Sequence, residues 1–288
     1  MSKTNRAAVR PAARPATAHA PSAAASHSET GPAKRARRPV TTLGRAFQLL
    51  DAFRDSRGPL GNGDLAAITG LPKPTISRLA QALAASGYLE YLPRLRQYQL
   101  GVTILALSRA KLGSIEIRRV ARPHMRQMAL DLGLTVDLGT PIGGDILYLD
   151  FARADALLTA NTDVGGRNPL DVTAAGRACL AVMTAAERRR VEDILSLNRG
   201  NDWPAIQARI DASLQETKRL GFCVVEREFR PENAFAGIAL RDDERGQIYS
   251  FSAGFIGGAP AKAHRLLYSK VGPRLLRLVE QVTDEIAH

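Results

Sequence analysis

Seven residues between Lys73 and Arg96 carry the plainest chemical signal in the chain. Lys73, Thr75, Ser77, Arg78 and Gln81 stand in "LPKPTISRLAQALAASGYL", and Arg94 and Arg96 follow in "YLPRLRQYQLG". Thr75 and Arg78 are three apart and share a helical face, with Gln81 one turn further on. Arginine reads guanine edges, and serine or threonine contacts phosphates or bases. Lys73 sits at the mouth of the helix, where free backbone N–H groups can also meet a phosphate. Arg94 and Arg96 lie between two alternating segments, at the tip of a hairpin suited to contacts beside a groove.

A face of this kind needs an anchored back. Pro74 suits the first turn of a helix, and Ile76, Leu79, Ala80 and Leu83 supply the apolar stripe. Upstream, Leu43, Ala46, Phe47, Leu50 and Phe53 fall on one helical face, with Thr41 or Thr42 as the cap. "GDLAAITG" reads as a short second helix packing through Leu65, Ala66 and Ile68. The order helix, helix, turn, helix, two-stranded ribbon is that of a winged helix-turn-helix. The same module used only for protein docking is the competing reading.

The rest of the chain mixes helices and strands. "VTILALSRAKLG" is a linking helix. "IEIRRVARPHMRQMALDLG" is a helix interrupted or restarted at Pro123. "LTVDLGTPIGGDILYLDFA" forms two strands about Gly143-Gly144. "NTDVGGRNP" is loop, "TAAGRACLAVM" a helix of small residues, and Thr184 to Glu187 a capping box. "FCVVEREF", "AFAGIALRD" and "QIYSFSAGF" are strands, so Glu226 and Glu228 alternate with Val225 and Arg227 on one of them. The last helix is expected to break near Gly272-Pro273. The pattern predicts an α+β chain: an N-terminal winged helix-turn-helix, then an α/β domain with a mainly antiparallel sheet. Its expected parts are a tail at 1–40, a DNA-binding domain at 41–101, a linker helix at 102–115, and a second, mixed domain at 116–288.

Charge and composition narrow the function. The 288 residues carry a formal net charge of +12. Residues 1–40 hold eight basic side chains against Glu29 alone, so more than half of that excess lies in an Ala/Pro-rich segment expected to be disordered. The overall charge therefore says little about the folded part. There is no signal-peptide core and no long apolar run, which predicts a cytoplasmic chain without a membrane segment. Cys179 and Cys223 match no metal spacing and read as buried thiols. His124 and His264 are isolated, and Arg188, Arg189 and Arg190 read as a solvated face. No GxSxG, HExxH or P-loop occurs, so no enzyme, metal or cofactor is expected. The alternative is a ligand-sensing or enzymatic domain joined to a protein-docking winged helix.

The motifs "LGRAFQLLDAF", "LPKPTISRLAQALAASGYL", "YQLG", "GRNPLDVTAAGRACLA" and "RLGFCVVEREFRPENAFAGIAL" together resemble the IclR family of bacterial transcriptional regulators, from about Thr42 to the C-terminus. The resemblance implies a GAF-like effector domain, a homodimer or tetramer, and repression or activation through a pseudo-palindromic duplex operator. It also places Ala174, Ala175, Glu226, Phe235, Phe251 and Ala253 near an effector pocket. The family often has cysteine at the position of Phe235, and serine at those of Phe251 and Ala253. Loss of those donors points to a larger, aromatic or apolar organic effector, or to a pocket without a ligand.

Overall fold

The computed structural model describes residues 41–56, 58–154, 163–256 and 262–287. The tail assigned to 1–40 lies outside them. The chain divides into two compact units, one ending at Gln99 and the other starting at Leu100.

In the first unit, α1 (Thr42–Asp51) is capped by Thr41, whose hydroxyl accepts from Gly44 N at 3.2 Å. Its buried side differs from the expected one. Leu49 is fully buried, with Ala52 and Phe53 beside it, while Leu43 and Phe47 are exposed. Two overlapping stripes satisfy the same helical period here. The core takes Leu49 and Phe53, with Ala46 and Leu50 packed against them.

Strand β1 (Leu60–Gly61) lies in what reads as a chain break, and it pairs antiparallel with β3 (Gln97–Leu100). Helix α2 (Asn62–Thr69) follows and stops at Gly70, whose φ of 68° lies in the left-handed region. It packs through Leu65, with Ala66 half-buried, but Ile68 is exposed. Helix α3 (Lys73–Ala85) buries Ile76, Leu79 and Ala80 as expected. With β2 (Leu89–Leu92), the strands form a sheet of order β1-β3-β2. The core of this unit joins α1, α2 and α3 to Leu89 and Tyr98.

The second unit opens with α4 (Thr103–Gly113) and α5 (Glu116–Leu132). Helix α5 runs through Pro123 without interruption. Proline removes one helical hydrogen bond, but Val120, Ala121, Met125 and Met128 are buried along the helix and hold it in register. Six strands then form one sheet: β4 (Thr135–Ile142), β5 (Asp145–Arg153), β6 (Arg167–Pro169), β7 (Cys223–Glu226), β8 (Ala234–Asp242) and β9 (Gln247–Phe255). Their order is β6-β5-β4-β9-β8-β7, with antiparallel pairing throughout. Segment 167–169, expected as loop, is thus an edge strand.

Helices cover both faces. On one face, α5 and the C-terminal helix bury Val136, Leu138, Phe251 and Ala253. On the other lie α6 (Ala174–Val182), α7 (Ala185–Arg199) and α8 (Trp203–Leu220), around Ile146, Leu170, Cys179, Ile206 and Ile210. Helix α6 sits very close to its neighbours. A Cβ on Gly176 would be 2.0 Å from the Leu170 carbonyl oxygen, and one on Gly237 would be 2.4 Å from that of Ala174.

The C-terminal helix does not break at Gly272-Pro273. It runs as α9 (Ala263–Leu266), one π-helical stretch over Leu267–Val271, and α10 (Gly272–Ala287). The wider turns just before Pro273 accommodate its missing N–H. Gly272 lies against the Phe222 ring, where a Cβ would be 2.2 Å from two ring carbons.

Candidate functional site

Two places in the molecule gather polar groups that the cores do not need. The first is the exposed side of α3 with the β2–β3 hairpin. Burial of Ile76, Leu79 and Ala80 turns the opposite face outward. Lys73, Arg78 and Gln81 are exposed, and Thr75 and Ser77 half-buried. Arg94 and Arg96 are exposed on the hairpin turn. Ser77, Gln81 and Arg96 line one shared hollow with Asn62, Tyr91 and Tyr98, whereas Lys73, Thr75, Arg78 and Arg94 lie outside it. Asn62 and Tyr91 were not legible as part of this surface. Tyr91 is 44% exposed and stacks on Tyr98 at 4.9 Å, so an aromatic ring stands beside the cations.

Arg96 has a φ of 54°. Only Arg96 and Arg227 among the described non-glycine residues have positive φ. A left-handed residue with a Cβ costs about 1–2 kcal/mol. Such strain persists where the surroundings or the function demand that side chain.

The second place is a cavity of about 190 Å³ in the second unit. One wall is the sheet face bearing Thr135, Asp137, Tyr148, Phe151, Phe235 and Ser252. The opposite wall is Val172, Thr173 and Ala174 at the start of α6. The segment from Arg227 to Asn233 forms the third side. That segment leaves the sheet abruptly. Strand β7 ends at Glu226 instead of running on to Phe229, and Arg227 turns with a φ of 60°. The loop closes on itself through Arg227 N donating to Asn233 O at 2.8 Å, and Asn233 N donating to Arg230 O at 3.0 Å.

Glu228 therefore does not alternate along a strand. Its carboxylate is held by Arg177, at 2.8 Å and 2.5 Å, and by Arg209 at 3.2 Å. Arg177 is only 2% exposed, and it also donates to Asp171 O and Ser213 Oγ. This one guanidinium joins α6 to α8 and to the loop beside the cavity. A second bidentate pair, Arg199 with Asp171, fixes the turn before α6.

The deep end of the cavity is acidic. Asp137 is 3% exposed, and Ser252 Oγ stands 2.7 Å from both of its carboxylate oxygens. Burial pushes the Asp137 carboxyl up to about 7, against the lowering effects of the Ser252 hydrogen bonds and of Arg153. Burial likewise raises Tyr148, whose hydroxyl accepts from Asn168 Nδ2 at 3.2 Å. Thr135 Oγ1 and Asn233 Oδ1 are buried with no hydrogen-bond partner.

Of the residues expected at an effector pocket, Ala174 and Phe235 line this cavity. The other four do not. Ala175 is buried among the side chains between α6 and the sheet. Glu226 accepts from His264 Nδ1 at 2.6 Å, outside the cavity. Phe251 and Ala253 lie on the opposite face of the sheet, in the core under α5 and α10. Successive side chains of a strand point to opposite faces, so Ser252 is the β9 residue that faces the cavity. Where Phe251 and Ala253 bring no hydroxyl, Ser252 between them brings one to the cavity wall. Asp137, Asn168 and Thr135 were missed.

The remaining singled-out residues have structural surroundings. Cys179 and Cys223 are free and buried, and burial pushes both thiols up to about 12. They stay protonated and are poor nucleophiles. His124 pairs with Glu285 at 2.7 Å. Among the described residues, no cluster of three or more His, Cys, Asp or Glu could hold a metal, and no helix is long and apolar enough to cross a membrane.

A winged helix with a cationic recognition face, followed by a separate α+β unit, defines the class of helix-turn-helix transcriptional regulators. The IclR helix-turn-helix domain matches residues 42–93, and the C-terminal domain of the bacterial transcriptional regulator IclR matches residues 109–284. The HTH-type transcriptional regulator TsaQ1/TsaQ2 of Comamonas testosteroni is 31% identical over 249 residues, covering 86% of this chain and 88% of that protein. The crystal structure of an IclR family transcriptional regulator from Brucella abortus superposes with a TM-score of 0.77 at 30% identity, covering 90% of this chain and 97% of the other. An IclR homologue complexed with 4-hydroxybenzoate, from Microbacterium hydrocarbonoxydans, shares the fold with a TM-score of 0.64 at 20% identity, covering 84% and 96%. The chain belongs to the IclR family of bacterial transcriptional regulators. It is a DNA-binding regulator of transcription.

Proposed function

We propose that α3 reads an operator in the major groove and that the cavity beside Asp137 takes a small organic effector. The observation that carries this reading is a division of labour between the units. One exposes cations on a rigid helix, and the other encloses a cavity with unpartnered buried oxygens. Function in this reading is binding, without catalysis or cofactor: burial pushes the two thiols up to about 12, which makes them poor nucleophiles, and Glu228 beside the cavity is committed to Arg177 and Arg209. A relative bound to 4-hydroxybenzoate supports an effector of similar scale, as does the modest cavity volume. The domain limits given above, with the DNA reader at 41–101 and the effector domain at 116–288, belong to this reading, as does a cytoplasmic location beside the DNA.

The working form is a homodimer or tetramer. One short helix contacts too few base pairs for genomic selectivity, so two copies read a pseudo-palindromic site. Leu43 and Phe47 on α1, and Leu105 and Leu107 on α4, are all more than half exposed. A second copy covers these apolar side chains. The effector acts by binding one state of the assembly more tightly than another.

Replacing Arg78 with Ala is expected to relax sequence preference at one operator position, a change of about 1–3 kcal/mol in discrimination. Arg96→Gly should weaken binding to every sequence and reduce the salt slope by about one phosphate contact. It should also raise the stability of the winged helix by roughly 0.5–1 kcal/mol, because glycine adopts a φ of 54° without strain. Fluorescence anisotropy on operator and scrambled duplexes at several salt concentrations, with and without residues 1–40, measures these effects. Unselective binding, or binding that vanishes with residues 1–40, would overturn the operator reading.

A further inference from the structure

We propose that Asp137 makes the deep end of the cavity a hydrogen-bond acceptor, selecting an organic anion that carries a hydroxyl or amino donor at the end remote from its acid group. The inference rests on the reading of this cavity as the effector site. Its grounds are the inventory of donors and acceptors. Ser252 has one hydroxyl hydrogen, yet its oxygen lies 2.7 Å from both oxygens of Asp137. It can satisfy one of them at a time. Thr135 Oγ1, on the same strand two residues away and 1% exposed, has no partner. An ionised carboxylate offers about four acceptor sites, and Asp137 receives the Ser252 hydroxyl and the Ser252 backbone N–H, so acceptor capacity is left over where the cavity is most buried. A buried acceptor left unmade is costly, and a ligand donor removes that cost.

The opposite end has the opposite character. Arg227 is exposed and Arg230 half-buried at the cavity's loop side. Arg230 stacks on Phe229 at 5.4 Å. Glu228, on the same loop, is already committed to Arg177 and Arg209. Glu232, exposed on the same loop, is outnumbered by the two guanidinium groups, so a carboxylate is favoured at this end. Phe151, Phe229 and Phe235 line the space between. The cavity is apolar in its middle, basic at its mouth and acidic at its floor.

This arrangement makes affinity depend on pH. Ser252 from β9, and Tyr148 and Arg153 from β5, act directly on Asp137; Arg227, Glu228, Arg230 and Glu232 from the loop line the same cavity, and the start of α6 contributes no titratable group. Asp137 accepts from a ligand best when ionised. With its carboxyl titrating at about 7, about one molecule in eleven is ionised at pH 6 and ten in eleven at pH 8. Binding of a donor ligand should tighten about tenfold across that interval.

The test is calorimetric titration of the full chain with matched probes: benzoate, 4-hydroxybenzoate and 4-methoxybenzoate, then pentanoate and 5-hydroxypentanoate. In at least one set, the hydroxylated member should bind about tenfold more tightly than its partners. Asp137→Ala should abolish that preference while still binding the parent acid, and Asp137→Asn should flatten the pH dependence. Acids that bind wild type without regard to the hydroxyl, or a preference that survives Asp137→Ala, overturn the donor selection and leave the effector site standing. If no probe binds wild type at millimolar concentration, the effector reading and this inference fall together.

Discussion

Replacing Arg177 with Met is expected to destabilise the second unit by about 3–5 kcal/mol. The guanidinium is 2% exposed and donates four hydrogen bonds: two to the Glu228 carboxylate, one to the Asp171 carbonyl and one to Ser213. Methionine fills the space but leaves a 17% exposed carboxylate with only the more exposed Arg209 as partner. It also strands the Asp171 carbonyl. The loss is thus mainly the cost of the groups left behind. Arg177→Met combined with Glu228→Gln should recover a large part of it. The sole tryptophan, Trp203, opens α8 and packs beside Ile206 and Ile210, so its fluorescence in urea reports this unit alone. Equal stability of the single and double variants would show that the pair does not act as a unit.

Asp137→Asn should act in the other direction and with a pH signature. The folded carboxyl titrates near 7 against an ordinary value of 3.8. The unfolded chain therefore loses this proton first, and ionisation works against folding. The contribution is intact below about pH 4 and is lost as the pH rises to about 7. At pH 8 the opposed pKa shift corresponds to an upper bound of about 4 kcal/mol. The asparagine variant should then be more stable than wild type by up to that amount at pH 8, and nearly equal to it at pH 4. Thermal unfolding at the two pH values measures this. A gain independent of pH would mean that packing, not charge, separates the variants.

The winged helix was legible because its constraints are local and one-sided. Ile76, Leu79 and Ala80 leave one way to bury α3, and Pro74, Gly70 and Gly87 punctuate it. Helix α1 was harder. Five apolar residues in ten offer two stripes, and only the partner helices decide between them. The cavity was least legible. Its sheet is covered on both faces, so β9 alternates serine with phenylalanine or alanine while both sets are buried. Alternation then says nothing about which face meets the cavity. Asp137 looked like an ordinary strand residue, because its meaning comes from Ser252, more than a hundred positions away. The helix interruptions expected at Pro123 and Gly272-Pro273 failed for a similar reason: packing across the unit outweighed the local preference.

The two left-handed arginines bear on how this protein can be improved or lost. Arg96 and Arg227 each occupy a corner that glycine would fill with less strain, one on the wing and one at the cavity's mouth. A selection for thermal resistance alone would favour glycine at both positions. Its winners would be sturdier proteins with a weakened grip on DNA and a blunted response to ligand. Libraries built to harden this scaffold should hold these two codons fixed.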